Sequence, residues 1–302
     1  MSGERSGWGD GRPVLGVDAL LIAEREASEG ALALAAVGVP VAARVGWAAL
    51  AAEVPQPLII AEAQGIAPDL LAPGLARIAE WGAAGRSHIV IAFDPDQLDE
   101  VAAALLGDQA ELLCAPDQTA WVSAVAIAGH RARPGGVREG DDAVVRLRRV
   151  NEEIARIADA LAGAAADAPR RAGLGASASA TVSGGSSPPA AADLRRAIRA
   201  RRLRDQYFGT GLFEEPAWDM LLDLYAAELE GQRVSVSSLC IAAAVAPTTA
   251  LRWITRMIEA GLFARAPDPI DRRRAYMMLT PAARGGMQAY AQGLAASGIR
   301  LA

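Results

Sequence analysis

Short apolar runs alternate with helix-compatible stretches through the first 130 residues of the chain. The runs predict five strands, at residues 14–17, 39–42, 58–60, 88–92 and 111–114. The stretches predict five helices, at residues 24–36, 46–54, 69–83, 97–106 and 118–128. Such alternation indicates a parallel sheet with helices on both faces, because parallel neighbours need crossover connections. We therefore expect a doubly wound α/β domain at residues 13–130, preceded by a loose tail at residues 1–12.

The last part of the chain follows a different pattern, in which helices precede two short strands. The predicted elements are helices at residues 216–229, 235–245 and 248–260, strands at 262–266 and 275–279, and a final helix from residue 281. Gly261 is expected to end the third helix in the left-handed conformation. Thr280 and Pro281 are an N-cap and a first-turn proline. This order predicts an α+β winged helix-turn-helix at residues 193–302.

Two segments separate these domains. In residues 141–163, apolar residues recur every three or four positions; they are Leu147, Val150, Ile154, Ile157 and Leu161. This amphipathic helix forms either a two-stranded coiled coil, which would make the protein a dimer, or a helix packed on its own domain. Residues 164–192 are rich in Gly, Ala, Ser and Pro, and predict a disordered linker. A helix with six arginines follows at residues 193–208.

Charge differs between the two ends of the chain, whose net charge is −5. Residues 1–163 hold 13 Arg against 23 acidic residues, whereas residues 164–302 hold 17 Arg against 12 acidic residues. There is no lysine, so every cationic side chain is a guanidinium, a planar group suited to phosphates and guanine edges. A basic C-terminal part either meets a polyanion or is a chance asymmetry of solvated faces.

Cysteine usage and the N-terminus predict a cytoplasmic protein. Cys114 and Cys240 lie far apart in different predicted domains, and the N-terminus has no secretory apolar core. Residues 30–52 are apolar but contain Pro40 and Arg44, and a charge at the centre of a membrane span is costly. We expect no transmembrane helix and no membrane partner.

The third helix of the rear domain combines a buried stripe with a polar face. Ala250, Trp253, Ile254 and Met257 have helical spacing and are expected to be buried. The opposite face then presents Thr248, Arg252 and Thr255, with Thr249, Leu251 and Arg256 on its flanks. Arginine can pair with guanine, threonine with several bases, and leucine with a thymine methyl group. We therefore predict a helix that reads the major groove.

The turn between the two predicted strands carries three arginines. They are Arg272, Arg273 and Arg274, and Asp271 precedes them. A hairpin with a cationic tip can contact phosphates or enter a narrow, electronegative minor groove. Solvated arginines that bind nothing are the alternative.

Residues 239–281 resemble the MarR-type winged-helix regulators. The resemblance includes the stretch from Thr248 to Arg252, the helix end Glu259-Ala260-Gly261-Leu262, the turn from Pro267 to Arg273, and Leu279-Thr280. It implies a homodimer on a two-fold operator, with Thr248, Thr249 and Arg252 facing the major groove. It also implies that the turn between the two strands is the wing of the fold, that Arg273 lies at the minor groove and that Asp271 orients the arginines of this wing.

Residues 13–130 resemble a response-regulator receiver, a flavodoxin-like fold, in length and strand order. Asp18, taken as the end of strand one, has no acidic neighbour; Glu62 follows strand three where a phosphoacceptor aspartate would stand, and Ala115 occupies the lysine position after strand five. The residues for phosphotransfer are missing, so we expect a degenerate pseudo-receiver used for dimerisation or partner contact. Glu62 is either a mimic of the phosphorylated state or an ordinary surface glutamate.

Together these patterns predict a dimeric, sequence-specific transcriptional regulator that binds double-stranded DNA. No catalytic residue, metal site or cofactor is expected. Neither His88 nor His130 has a carboxylate or cysteine at metal-ligand spacing in the sequence, and no complete nucleotide-binding or nucleophile motif is present. One alternative is a signalling adaptor whose two domains both bind proteins; the front domain would then contact a protein signalling partner. A flavodoxin-like enzyme or a cofactor-binding protein is the third hypothesis.

Overall fold

A computed structural model describes residues 16–133, 190–208 and 213–296, except residues 86, 108, 109 and 272. All of them belong to one compact unit. The predicted tail at residues 1–12, the amphipathic helix at 141–163 and most of the linker at 164–192 lie outside the described residues. Residues 16–133 are called the front part below, and residues 190–296 the rear part.

Five parallel strands form one sheet in the front part, in the order β2-β1-β3-β4-β5. The strands are β1 (Ala19–Ile22), β2 (Val41–Val45), β3 (Leu58–Glu62), β4 (His88–Phe93) and β5 (Ala110–Cys114). The α-helices are α1 (Glu29–Val37), α2 (Pro68–Ala83), α3 (Leu98–Leu105) and α4 (Gln118–Arg131), with short 3₁₀ helices at Trp47–Ala52 and Pro95–Gln97. The predicted parallel α/β sheet is therefore confirmed, with β5 at one edge.

Both faces of the central strands β1, β3 and β4 are buried, whereas the edge strand β2 is mostly exposed. Ile59 and Ile91 pack on one face with α2 and α3, whereas Leu21 and Ile60 pack on the other with α1 and α4. Side chains alternate between faces along a strand, so a sheet covered on both sides needs continuous apolar runs. The run Leu58–Ala61 meets that requirement with four fully buried side chains.

Two sequence predictions for the front part are wrong. The first strand that the structure describes is Ala19–Ile22, where the run Ala-Leu-Leu-Ile supplies four consecutive buried side chains. Residues 16 and 17 of the predicted strand at 14–17 precede it, and residues 14 and 15 lie outside the described residues. Asp18 therefore precedes this strand and does not end it. The α-helix predicted at residues 46–54 is a 3₁₀ helix, Trp47–Ala52, closed by a bond from Glu53 N–H to Leu50 O.

The described rear part contains three longer helices, a helix-turn-helix and a hairpin. Its helices are α5 (Ala191–Phe208), α6 (Pro216–Leu229), α7 (Val236–Ala243), α8 (Pro247–Glu259) and α9 (Pro281–Ala296). Its strands are β6 (Val234–Ser235), β7 (Phe263–Pro267) and β8 (Ala275–Leu279), which form an antiparallel sheet in the order β6-β8-β7. Helix α5 begins two residues before the predicted domain boundary at 193. The order strand, helix, helix, hairpin is that of a winged helix.

Local signals set the boundaries of these elements. The Ser235 hydroxyl accepts a bond from Ser238 N–H at 3.1 Å and caps α7. Pro247 occupies the first turn of α8, and Gly261 follows that helix with φ +70°. Helices α7 and α8 meet at 107°, which is within the range of helix-turn-helix motifs. The Thr280 hydroxyl accepts from Ala283 N–H at 3.2 Å and caps α9, as predicted.

A buried carboxylate joins α5 to α6. Asp219 is 3 % exposed and accepts from Arg201 Nε at 2.8 Å, while Arg202 Nη2 lies 3.2 Å from its other oxygen. Arg201 also bonds to Glu215. Burial lowers the pKa of Arg201, but its bonds to Asp219 and Glu215 outweigh burial and raise it. Arg201 and Arg202 thus join α5 to α6 through Asp219.

A continuous apolar cluster links the two parts. It contains Ile91 and Phe93 of β4, Leu112 of β5, and also Leu239 of α7 and Ile254 of α8. The front sheet and the helix-turn-helix therefore share a core in this structure.

Within the ranges that the structure describes, no single helix is long and apolar enough to cross a membrane. Among the described helices, α7 and α8 reach that length and apolarity when they are counted together across their 107° bend.

Candidate nucleic-acid interface

Helix α8 carries the residues predicted to read DNA, and its buried face largely follows the prediction. Ala250, Ile254 and Met257 are buried, whereas Trp253 is only partly buried. The guanidinium of Arg256 lies over the Trp253 ring at 5.2 Å, so this indole forms part of the surface. Trp253 nevertheless packs against the apolar core, so the predicted stripe is confirmed for Ala250, Ile254 and Met257 and in part for Trp253.

The first turn of α8 faces the front sheet. Cys114 N–H, at the end of β5, donates to Thr248 Oγ1 at 3.0 Å, and Thr248 Oγ1 lies 3.4 Å from Cys114 O. Leu251, expected on the exposed flank, is 1 % exposed; it belongs to the apolar cluster that also contains Leu112 and Cys114. That prediction was wrong because the front sheet covers this side of the helix. Thr249 is exposed.

Arg252 is half exposed and lies near a front-part carboxylate. Its Nε is 3.6 Å from Glu111 Oε2, and the other oxygen of Glu111 accepts from Arg131 Nη1 at 2.8 Å. The exposed fraction of the Arg252 side chain is 50 %. Arg252 therefore keeps a solvent-facing guanidinium beside a negative group.

The wing between β7 and β8 is built around Asp268. This carboxylate accepts from Ile270 N–H at 2.8 Å, from Asp271 N–H at 3.3 Å and from the Tyr276 hydroxyl at 2.8 Å. The bond from Ile270 N–H is the main cause that lowers the pKa of Asp268, and Tyr276 adds to it. Sequence reasoning did not single out Asp268, although aspartates that cap their own turn are common in such loops.

Asp271 contacts two arginines of the wing. It accepts from Arg273 N–H at 3.0 Å and from Arg273 Nε at 3.2 Å, and Arg274 Nε lies 3.8 Å away. The backbone bond from Arg273 is the largest cause that lowers the pKa of Asp271. Arg273 and Arg274 stay 58 % and 61 % exposed. Both remain open to an anion, while Arg272 lies outside the described residues.

Two further contacts join the parts, and sequence reasoning missed both. Asp99 of α3 accepts from Ser237 N–H at 2.9 Å and from the Ser237 hydroxyl at 2.8 Å. Arg265 of β7 donates to the carbonyls of Ala102 and Ala103 at 3.0 and 2.9 Å, at the C-terminal end of α3. More than 130 residues separate the partners, and a single sequence carries no signal for such pairs.

The carboxylates beside the front strands cap backbone groups. Glu62 accepts from Gly30 N–H at 2.7 Å, Glu24 from Trp47 N–H at 2.8 Å and Asp94 from Gly65 N–H at 2.9 Å. Glu62 is half-buried at the start of α1, so it has a structural role and is not an ordinary surface glutamate. Among the residues that the structure describes, no group of three His, Cys, Asp or Glu side chains could hold a metal ion.

No model of a protein family matches this chain, and no curated protein matches it. Several solved structures match about a third of it. S. aureus MepR bound to ethidium bromide is 16 % identical over 35 % of this chain and 72 % of its own, with a TM-score of 0.26. AbsC, a MarR family transcriptional regulator from Streptomyces coelicolor, is 27 % identical over 35 % and 68 %, with a TM-score of 0.24. A probable transcriptional regulator from Pseudomonas aeruginosa is 28 % identical over 34 % and 80 %, with a TM-score of 0.22. Likenesses at these TM-scores carry no weight for function.

Proposed function

We propose that this protein is a sequence-specific, dimeric transcriptional regulator that binds double-stranded DNA through its winged helix. Helix α8 reads the major groove with Thr248, Thr249, Arg252 and Arg256. The wing, with Asp271 and the arginines 272–274, contacts the minor groove or backbone.

The observation that carries this proposal is the set of exposed guanidiniums on one winged helix. Arg252 and Arg256 extend from α8, and Arg273 and Arg274 from a wing whose shape Asp268 fixes. Guanidiniums that stay at least half exposed keep donors free for phosphate oxygens and base edges. Three arginines of α5, by contrast, pair with carboxylates of α6: Arg195 with Asp223, and Arg201 and Arg202 with Asp219.

The front part fits a degenerate receiver in this proposal. Its strand order, β2-β1-β3-β4-β5, is one that doubly wound α/β proteins use. Glu24, after β1, and Glu62, at the end of β3, accept hydrogen bonds from backbone N–H groups. Ala115 follows β5. We assign the front part a role in dimerisation or partner contact. The predicted coiled coil at residues 141–163 lies outside the described residues, so light scattering of the intact chain is the test of the dimer.

Salt-dependent binding to duplex DNA tests the main proposal. Arg252→Ala should relax base preference, because it removes a base-reading group. Arg273→Ala should weaken binding to all sequences and lower the salt slope by about 1, because one phosphate contact is lost. Arg77→Ala, which removes a charge from α2 in the front part, is the control and should leave both properties unchanged. Wild-type binding that does not respond to salt would contradict the proposal.

A protein-binding adaptor is the second candidate. The contact of Thr248 with the β5 backbone favours it, because a winged helix that docks on one protein surface can dock on another. Recovery of a specific protein partner, together with absence of duplex binding at low salt, would decide for the adaptor.

A further inference from the structure

The front part covers part of the proposed DNA-reading surface of the winged helix with one defined face. This docking face consists of α3 and β5 together with the carboxylates of Asp99, Glu100 and Glu111. Each of these carboxylates lies near a group to which a DNA phosphate or base would bind under the proposed function.

Asp99 occupies the N-terminal end of α7. Both of its oxygens are engaged, one by Ser237 N–H at 2.9 Å and one by the Ser237 hydroxyl at 2.8 Å. A helix N-terminus presents free N–H groups and a partial positive charge, and is a natural binding position for phosphate. The Asp99 carboxylate therefore supplies the two acceptor oxygens that a DNA phosphate would otherwise provide.

Glu111 lies beside Arg252 of α8, and Glu100 is within electrostatic range of Arg273 in the wing. Glu111 Oε2 is 3.6 Å from Arg252 Nε, on the reading helix. Glu100 has one buried oxygen without a hydrogen-bond partner among the described residues. The pKa of Glu100 is raised, mainly by burial and also by Asp271, although Arg273 of the wing lowers it. Carboxylates of the front part thus lie beside α7, at Asp99, and beside α8, at Glu111.

The first turn of α8 is also blocked by the backbone itself. A recognition helix contacts base edges with residues near its N-terminal end. Here Thr248 Oγ1 accepts a hydrogen bond from the N–H of Cys114, and Leu251 is buried in the shared apolar cluster. Arg265 holds the C-terminal end of α3 against β7. A duplex cannot lay its major groove on α8 while β5 stays in this position.

From these contacts we infer that the front part is an intramolecular DNA mimic, which competes with duplex DNA for the winged helix. This inference rests on the proposed function. The described structure is the closed form, and DNA binding requires the docking face to separate from α7, α8 and the wing. The apparent dissociation constant then equals the intrinsic constant divided by the open fraction.

Neutralising the docking face is the direct test. The double variant Asp99→Asn/Glu111→Gln keeps the side-chain shapes and removes two charges that hold the closed form. A fluorescent 30-base-pair duplex of mixed sequence is the probe, since the operator is unidentified. We expect the full-length variant to bind this duplex about tenfold or more tightly than wild type. The control Asp69→Asn/Glu80→Gln removes two exposed front-part charges away from the docking face, and should change the affinity much less.

A thiol measurement reports the conformation separately. Cys114 is buried where β5 meets α8, and Cys240→Ser leaves it as the single thiol of the chain. In this background, adding duplex should accelerate labelling of Cys114, because DNA selects the open form. The double variant should label faster without DNA, and circular dichroism should confirm that it is folded.

The outcomes separate the two proposals. Duplex binding by wild type and both double variants with equal affinity, or binding that leaves Cys114 labelling unchanged, would overturn the mimic and leave the DNA-binding proposal standing. Absence of duplex binding by every protein at low salt would overturn the DNA-binding proposal itself. Tighter binding by the docking-face variant alone, with faster labelling, would support both.

Discussion

Replacement of Asp219 by alanine is expected to loosen the rear part at the junction of α5 and α6. Asp219 is buried and accepts one bond of 2.8 Å from Arg201, with Arg202 at 3.2 Å. The alanine variant leaves Arg201, whose side chain is 15 % exposed, without its buried partner. The cost therefore arises from an uncompensated charge as well as from the lost bonds.

The size of the effect follows from how much of the pairing survives. Removing one partner of a buried ion pair costs about 3–5 kcal/mol of unfolding free energy. Arg201 keeps Glu215, and Arg202 keeps the carbonyl of Ala242, so the low end applies. A loss of about 3 kcal/mol corresponds to a decrease of roughly 6–12 °C in melting temperature for a unit of this size.

The assay is thermal and urea unfolding of the full chain, followed by circular dichroism. Asp193→Ala is the matched control, because Asp193 pairs with Arg196 three residues away on the exposed side of α5. Such surface pairs contribute about 0.5 kcal/mol or less. Equal midpoints for the two variants would refute the assignment of Asp219 as the junction between the helices.

Three further predictions concern the front core, the wing and the buried thiol. Gly74→Ala should destabilise the front part strongly, because the new Cβ would overlap with the Trp47 ring. In Gly285→Ala the new Cβ meets no atom within 4 Å on α9, so this variant should increase the free energy of unfolding by about 0.4–1 kcal/mol. Urea unfolding of the two variants compares these effects. The pKa of Asp268 is lowered in the folded wing, so its stabilising contribution is present above its ordinary pKa and is lost as the pH falls through the folded value. Asp268→Asn should increase amide hydrogen exchange in the wing at neutral pH and remove this acid dependence; unchanged exchange would argue against the role of Asp268. Burial raises the pKa of Cys240 to about 12, so at pH 8 a thiol reagent should modify it far more slowly than a free cysteine, and rapid labelling of the folded chain would contradict its placement in the core.

Sequence reasoning predicted the elements that local chemistry controls. Pro247, Gly261 and Thr280 mark the ends of α8 and the start of α9 through their own backbone preferences, and these boundaries agree with the structure to within a residue. The first strand was misplaced because two apolar runs follow each other near residue 17, and only packing against both neighbouring strands distinguishes them.

The candidate site was predicted less completely, because part of it depends on the front sheet. Periodicity assigned Leu251 to an exposed flank, because the helical pattern alone does not indicate that β5, more than 130 positions away in the chain, packs against this helix. The engagement of Ser237 by Asp99 arises in the same way from tertiary packing. The exposure of Arg273 and Arg274, in contrast, follows from a short turn rich in charge and proline.

Because both parts share one apolar cluster, a fragment that contains only one of them would have an exposed apolar surface. A fragment restricted to the winged helix would lose the β4 and β5 side of this cluster, and Leu251 on the first turns of α8 would come into contact with water. We expect such a fragment to self-associate, so that a shortened protein would be a poor substitute for the intact chain in any binding study. For the same reason an undocked winged helix would be short-lived in solution until another surface replaced the one it had left.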